Sequence, residues 1–402
     1  MNLLRRIPIF IGVFILSMAS LARAPHGFSH PKYKTPHKER HSFQRGLASQ
    51  DNETLYRQRA AHIDRKLREA RFSGSIYLKC GGKVYLNKSY GRRARELQGK
   101  YYDIGSITKQ FTAAAIMKLA ENGKLSLNDP ISNWIKPLPP EKGKITIEEL
   151  VTHRSGLVYP KDSDDDPDRD DYPDIKKQLS QYKPGYQIKD LKASSLEEIN
   201  TMDLKDKAFS YNNSNYTTLA YIVTQASKQS FNRYLKYNVL KPLGVPCGFN
   251  DHRSIAKDRA AMGHSKGRNT TLAGYFMDGP GFIGATGLIC RPQDLAKWYE
   301  SMGNLYKDPK TFDRVRYLEG SPLKSGNKGY SYGLQFDKPL IQHTGSTVGF
   351  VSASAYNPAT GCVGVSFSDE ETDFSTQPSV DTWLGIEQDY GDDEEPPPES
   401  SP

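Results

Sequence analysis

The stretch from Gly105 to Gly123 constrains the chain more than any other. Gly105 lets the backbone turn sharply, Ser106 opens the run, and Ile107, Phe111, Ala114, Ala115 and Leu119 recur at helical spacing until Gly123 stops it. That pattern predicts a buried helix. Ser106 and Lys109 are three apart, so on a helix they share a face and the amine lies against the hydroxyl. A serine hydroxyl is a poor nucleophile until a neighbouring base takes its proton. The spacing alone is weak, because Ser-x-x-Lys also occurs at Ser29/Lys32, Ser180/Lys183, Ser254/Lys257, Ser321/Lys324 and Ser325/Lys328. Ser29 precedes Pro31, and Ser321 and Ser325 sit among Pro322 and Gly326, which give their lysines no rigid element. Only Ser106 opens a buried helix.

Two later motifs complete a candidate site in chain order. In Tyr211-Asn212-Asn213, the tyrosine supplies a second proton carrier and Asn213 supplies an amide that can hold Lys109. Tyr-x-Asn also occurs at Tyr85/Asn87, so this motif too depends on context. His343-Thr344-Gly345 reads as a strand whose backbone faces the same cavity. No Gly-x-Ser-x-Gly elbow surrounds Ser106, which disfavours His343 as the base of a Ser-His-Asp triad.

From about Gly74 to Ser368 the chain resembles the class C serine β-lactamases and the related D-alanyl-D-alanine carboxypeptidases and esterases. Five blocks carry the resemblance: residues 102–112 around Ser106 and Lys109, 149–157 with His153-Arg154-Ser155-Gly156-Leu157, 211–216, Ala285-Thr286-Gly287-Leu288 before Asp294-Leu295-Ala296, and Gln342-His343-Thr344-Gly345. Tyr-x-Asn and His-Thr-Gly stand where class A enzymes carry Ser-Asp-Asn and Lys-Thr-Gly. Arg154 replaces a small polar residue expected there.

The resemblance implies an α/β (α+β) fold, an antiparallel sheet flanked by helices with an inserted, mostly helical lobe at about 128–284. It implies an acyl-enzyme on Ser106, proton transfers shared by Lys109 and Tyr211, Asn213 holding Lys109, and an oxyanion site from the backbone N–H groups of Ser106 and Ser346. His343, Thr344 and Gly345 are then expected to bind substrate, the imidazole and hydroxyl meeting a carboxylate or its equivalent. His153 is expected to stabilise its turn, and Tyr216 to pack behind the second motif. The expected substrate is a small molecule or peptide, such as a cell-wall peptide, a β-lactam or an ester, with no cofactor and no metal. The alternative is a catalytically silent penicillin-binding or scaffold protein. In this fold the first and last sheet strands are antiparallel neighbours, which implies a Cys80–Cys362 disulfide and leaves Cys247 with Cys290; buried free thiols are the alternative for both.

Met1 to Arg6 is a short basic start, and Ile7 to Ala19 is an apolar run short of the ~20 residues a bilayer span needs. Residues 1–22 read as a secretory signal cleaved after Ala22, with an uncleaved anchor as the alternative, so the expected location is periplasmic or secreted. Residues 23–52 read as a flexible basic arm, 53–390 as the hydrolase-like domain, and 391–402 as a disordered acidic, Pro-rich tail. The formal charge of +9 is spread over that arm and scattered lysines, which favours surface or membrane association through the N-terminal segment over a nucleic-acid groove. His26, His30, His37 and His41 lack the Cys or carboxylate company of a metal site. The Asp-rich stretch from Asp162 to Asp174 reads as a solvated loop, with a calcium site or attraction of cationic substrates as alternatives.

Coarse element expectations follow the same patterns. Residues 53–71 and 287–303 read as helices, and 381–390 as a terminal helix. Ser75–Lys79 and Val84–Leu86 flank a Gly81-Gly82 hairpin turn, and strands are expected at 330–336, 349–356 and 362–368.

Overall fold

In this computed structural model, the structure describes residues 50–159, 188–249, 259–265, 268–272, 282–317, 328–337, 339–347, 349–371 and 376–385. The expected signal segment, nearly all of the expected basic arm, the Asp162–Asp174 stretch and the acidic tail lie outside them.

Among the described residues, fourteen strands run β1 (Gly74–Cys80), β2 (Lys83–Tyr90), β3 (Tyr102–Asp103), β4 (Leu157–Val158), β5 (Asp203–Leu204), β6 (Gly248–Phe249), β7 (Met262–Ser265), β8 (Arg268–Leu272), β9 (Leu288–Cys290), β10 (Lys328–Ser331), β11 (Leu334–Asp337), β12 (Leu340–Thr347), β13 (Phe350–Asn357) and β14 (Cys362–Ser368). Among the described residues, helices of nine residues or more are α1 (Gln50–Glu69), α2 (Thr108–Glu121), α3 (Ile188–Thr201), α4 (Asn213–Ser227), α5 (Pro292–Ser301), α6 (Pro309–Tyr317) and α7 (Thr376–Leu384).

The main sheet has the order β10-β11-β12-β13-β14-β1-β2, and every pairing in it is antiparallel. The first strand of the hairpin thus lies beside the last strand of the chain, with Tyr77 opposite Val365. Strand alternation then sorts side chains onto two faces. Ile76, Leu78 and Cys80 pack with Ala60, Ile63 and Leu67 of α1 and Trp383 of α7. Tyr77, Val363, Val365 and Phe367 join the large core built around α2.

α2 is buried on almost every side, including Thr108, Lys109, Gln110 and Thr112, so it is a central helix and not a surface amphipath. Its buried polar groups are paired. Trp298 Nε1 donates to Gln110 Oε1 at 3.0 Å, and Gln110 Nε2 donates to the Tyr299 hydroxyl at 2.7 Å. That hydroxyl is 2.9 Å from Ser354 Oγ on β13, so α2 is tied to the sheet through one chain of hydrogen bonds.

Several element expectations need correction. The helix expected over 287–303 begins only at Pro292, because Leu288-Ile289-Cys290 pairs between β3 and β6 as a strand. The strand expected over 330–336 is two strands, β10 and β11, folded back at Tyr332-Gly333, where both residues take positive φ. The terminal helix starts at Thr376 and ends at Leu384; the rest of the expected 381–390 helix lies almost wholly outside the described residues. Cys80 is bonded to Cys362 across β1 and β14, and Cys247 to Cys290.

Candidate active site

Ser106 sits in a single 3-10 turn, Gly105–Ile107, that leads directly into α2. Gly105 takes φ +51°, and its amide donates to Asp103 Oδ1 at 2.8 Å. A Cβ on Gly105 would stand 2.8 Å from the Ser346 nitrogen, and one on Gly345 would stand 2.2 Å from the Ile104 oxygen. Glycine at both places is what allows the β12 backbone to meet the start of the helix. Ser352 Oγ secures the junction, 3.0 Å from the Ile104 oxygen and 3.2 Å from the Gly345 oxygen. The Ser346 amide is thereby brought beside the Ser106 turn, the pairing an oxyanion site requires.

Lys109 is fully buried, and its Nζ has three oxygen neighbours: Ser106 Oγ at 2.9 Å, Asn213 Oδ1 at 2.8 Å and the Ala285 carbonyl at 3.2 Å. Burial holds its pKa well below the ordinary lysine value. In its neutral form, which burial favours, the amine carries two N–H groups and one lone pair. The amide and carbonyl oxygens can only accept, so they take the two N–H groups and leave the lone pair for the Ser106 proton. This is the arrangement of a base poised on a nucleophile.

Asn213 is placed by its neighbours. Asn212 caps α4, its side chain accepting from the Ser214 amide at 2.8 Å, and its Nδ2 donates to the Leu157 carbonyl at 3.1 Å. The Asn212 amide donates to His153 Nδ1 at 3.1 Å. His153 is buried at φ +56°, and its ring stacks on Tyr211 with centroids 4.5 Å apart and planes 30° apart. The residue expected to stabilise a turn therefore also forms the platform behind the phenol.

Tyr211 puts its ring 4.8 Å from Lys109 Nζ, with 38% of its surface open. Burial raises the phenol pKa, while the Ser106 and Tyr330 hydroxyls oppose the rise. Tyr216 packs behind it, buried, its hydroxyl donating to the Val151 carbonyl at 2.8 Å.

His343 alternates inward on β12, while Thr344 is half-buried and Ser346 is exposed. Its Nε2 lies 3.2 Å from the Tyr330 hydroxyl, and burial pushes its pKa down to about 3. The imidazole is thus neutral near pH 7 and already has a hydrogen-bond partner. That departs from the expectation that it meets a substrate carboxylate; Thr344 keeps the more open position on that strand. Sequence reasoning missed Tyr330, the Asn212 cap and the Ala285 carbonyl. Ala285 and Asn212 both lie in blocks that carried the resemblance, which was the available signal for them; Tyr330 had none. Among the described residues no group of three or more His, Cys, Asp and Glu side chains is placed to hold a metal ion, and no helix is long and apolar enough to cross a membrane.

The chain also has relatives among known proteins. The putative penicillin-binding protein PbpX of Bacillus subtilis (strain 168) is 27% identical over 273 residues, covering 66% of this chain and 63% of that protein. Protein flp of Staphylococcus aureus (strain COL) is 31% identical over 315 residues, covering 74% of this chain and 59% of that protein. The chain therefore spans about three-fifths of the length of these curated relatives. Among solved structures, the octameric penicillin-binding protein homologue from Pyrococcus abyssi superposes with a TM-score of 0.63 at 25% identity, over 82% of this chain and 76% of that one. The D-amino acid amidase of Ochrobactrum anthropi SV3, complexed with L-phenylalanine amide, gives 0.63 at 18% identity over 83% and 98%, a likeness of fold. The family model described as Beta-lactamase matches residues 60–379, and the chain with its Ser106, Lys109 and Tyr211 cluster belongs to that family.

Proposed function

We propose that this protein is a serine hydrolase that works through an acyl-enzyme on Ser106, acting on amide, β-lactam or ester carbonyls as a D,D-peptidase, β-lactamase or esterase. The Lys109 amine carries the reading: two carbonyl-type acceptors occupy its N–H groups, and Ser106 Oγ is 2.9 Å away. Lys109 takes the Ser106 proton as Oγ attacks the carbonyl, and the negative charge collects where the Ser106 and Ser346 amides can receive it. Tyr211 gives its proton to the leaving group and, as phenolate, takes one from the water that releases the acyl group, while Lys109 hands its proton back to Ser106 Oγ. Such a site suits the relatives and structural neighbours, among them penicillin-binding proteins and an amidase. Export is part of the proposal: the Met1–Ala22 segment and two disulfides suit an oxidising compartment outside the cytosol.

The test is labelling of the protein with a fluorescent penicillin and a fluorophosphonate, read by intact mass, with Ser106→Ala as control. Labels that disappear in the variant support the acyl-enzyme; equal labelling of both proteins overturns it. Rapid loss of the penicillin label marks lactamase turnover, persistence marks a penicillin-binding peptidase, and a nitrophenyl ester panel identifies an esterase.

A further inference from the structure

Tyr330 belongs to none of the three motifs, yet it stands where two of them meet. It comes from β10, is buried, and sets its ring edge-on to both Tyr211 (centroids 5.8 Å apart, planes at 84°) and His343 (5.6 Å, 70°). His153 at 5.1 Å and Phe209 at 5.6 Å close around the same ring. Such a cage fixes the ring plane while leaving rotation about the C–O bond to the hydroxyl.

That hydroxyl has one acceptor fixed by elimination. His343 Nδ1 lies against the Thr344 carbonyl, which can only accept, so the ring proton sits on Nδ1. Nε2 then offers its lone pair, 3.2 Å from the Tyr330 oxygen, and Tyr330 must donate. Its other hydroxyl neighbours are Tyr216, whose own proton goes to the Val151 carbonyl, and Tyr211, whose deprotonated form is favoured by the Tyr330 hydroxyl.

We propose that Tyr330 is a positioning residue for Tyr211, its hydroxyl donating to His343 Nε2 in the resting site and turning to donate to the Tyr211 oxygen whenever Tyr211 has given up its proton. The turn is rotation about one C–O bond. No proton leaves Tyr330, and no bond between heavy atoms forms or breaks. His343 accepts in one state and is released in the other, which gives a neutral imidazole on β12 a role that its charge could not. The inference rests on the acyl-enzyme reading above.

Tyr330→Phe keeps the ring and removes the donor. With a nitrophenyl ester as substrate, kcat is expected to fall ~10-fold or more while KM stays within ~2-fold, because the lost hydrogen bond is to a charge present only during turnover. Ser106 should still take the fluorophosphonate label. A folded, labelled variant with wild-type kcat overturns the proposal, and so does a rise in KM that accounts for the whole loss. Should Tyr330→Phe fail to fold, 3-fluorotyrosine at position 330 decides: its more acidic hydroxyl should hold kcat at or above the wild-type value, and a tenfold fall overturns the proposal. Failure of the acyl-enzyme reading looks different, since the wild-type protein itself would then take no Ser106-dependent label.

Discussion

The two walls of the cleft hold their reactive groups by different forces. On the polar wall, Lys109 Nζ is fixed by three directional contacts of 2.8 to 3.2 Å, and glycine at 105 and 345 lets two backbones touch. On the aromatic wall, Tyr211 is held by a stacked His153 and an edge-on Tyr330, contacts between ring centroids 4.5 and 5.8 Å apart. Hydrogen bonds set distance and direction together. Ring packing sets a plane and leaves the hydroxyl free to turn. A nucleophile and its base need the first kind of restraint, and a phenol that gives and takes a proton in successive steps is served by the second.

Mutations on each wall should therefore fail in different ways. The largest effect is expected from Ser106→Ala, which removes the nucleophile: turnover of a nitrophenyl ester should fall by ~10⁴-fold or more, with the melting temperature unchanged. Lys109→Ala and Tyr211→Phe should each cut kcat by ~100-fold or more, the scale of general acid–base catalysis; near-native rates in both would remove their assigned roles. Gly345→Ala sets a methyl against the Ile104 carbonyl, so steady-state kinetics and melting should both worsen, with ~100-fold lost if the Ser346 amide is displaced.

On the aromatic wall, His153→Ala should cost less in rate, ~10-fold, and more in stability, about 1–3 kcal/mol in a urea melt, because the buried Asn212 amide loses its acceptor. An unchanged melting midpoint would show that the platform is not structural.

The smallest effect near neutrality is a pH slope. His343 has a folded pKa of about 3 against an ordinary value of 6.5. Above pH 6.5 it is neutral in both states and adds no slope. Below pH 6.5 the unfolded chain binds a proton that the folded protein excludes, so stability falls by up to about 1.4 kcal/mol per pH unit until about pH 3. His343→Gln should flatten that limb of the denaturation profile, and an identical slope in both proteins would show that the imidazole titrates normally.

The polar wall was largely legible in the sequence because Ser106, Lys109 and Asn213 each lie in a short motif, although the Ala285 carbonyl that completes it does not announce itself. Ser106 and Lys109 lie three apart on one helical run, and Asn213 follows a recognisable Tyr-Asn-Asn step. The aromatic wall was only half legible. Tyr330 has no motif, and its place depends on a fold-back at Tyr332-Gly333 inside a stretch that reads as one continuous strand. The orientation of His343 was equally hidden, since period-two alternation sorts a strand into two faces without saying which one meets the cleft. Leu288-Ile289-Cys290 failed for another reason: a short apolar run before a helix has no periodicity that separates strand from helix.

The amine that would arm the serine is completed by partners 104 and 176 residues farther along the chain. Contacts at that separation close late, since long loops must be ordered before they are rewarded. A nascent chain that has made only the Ser106 helix carries an unassisted hydroxyl and an ordinary surface lysine. Reactivity would switch on as Asn213 and the Ala285 carbonyl arrive, which would keep the polypeptide chemically quiet throughout synthesis and tie the first turnover to completion of the fold.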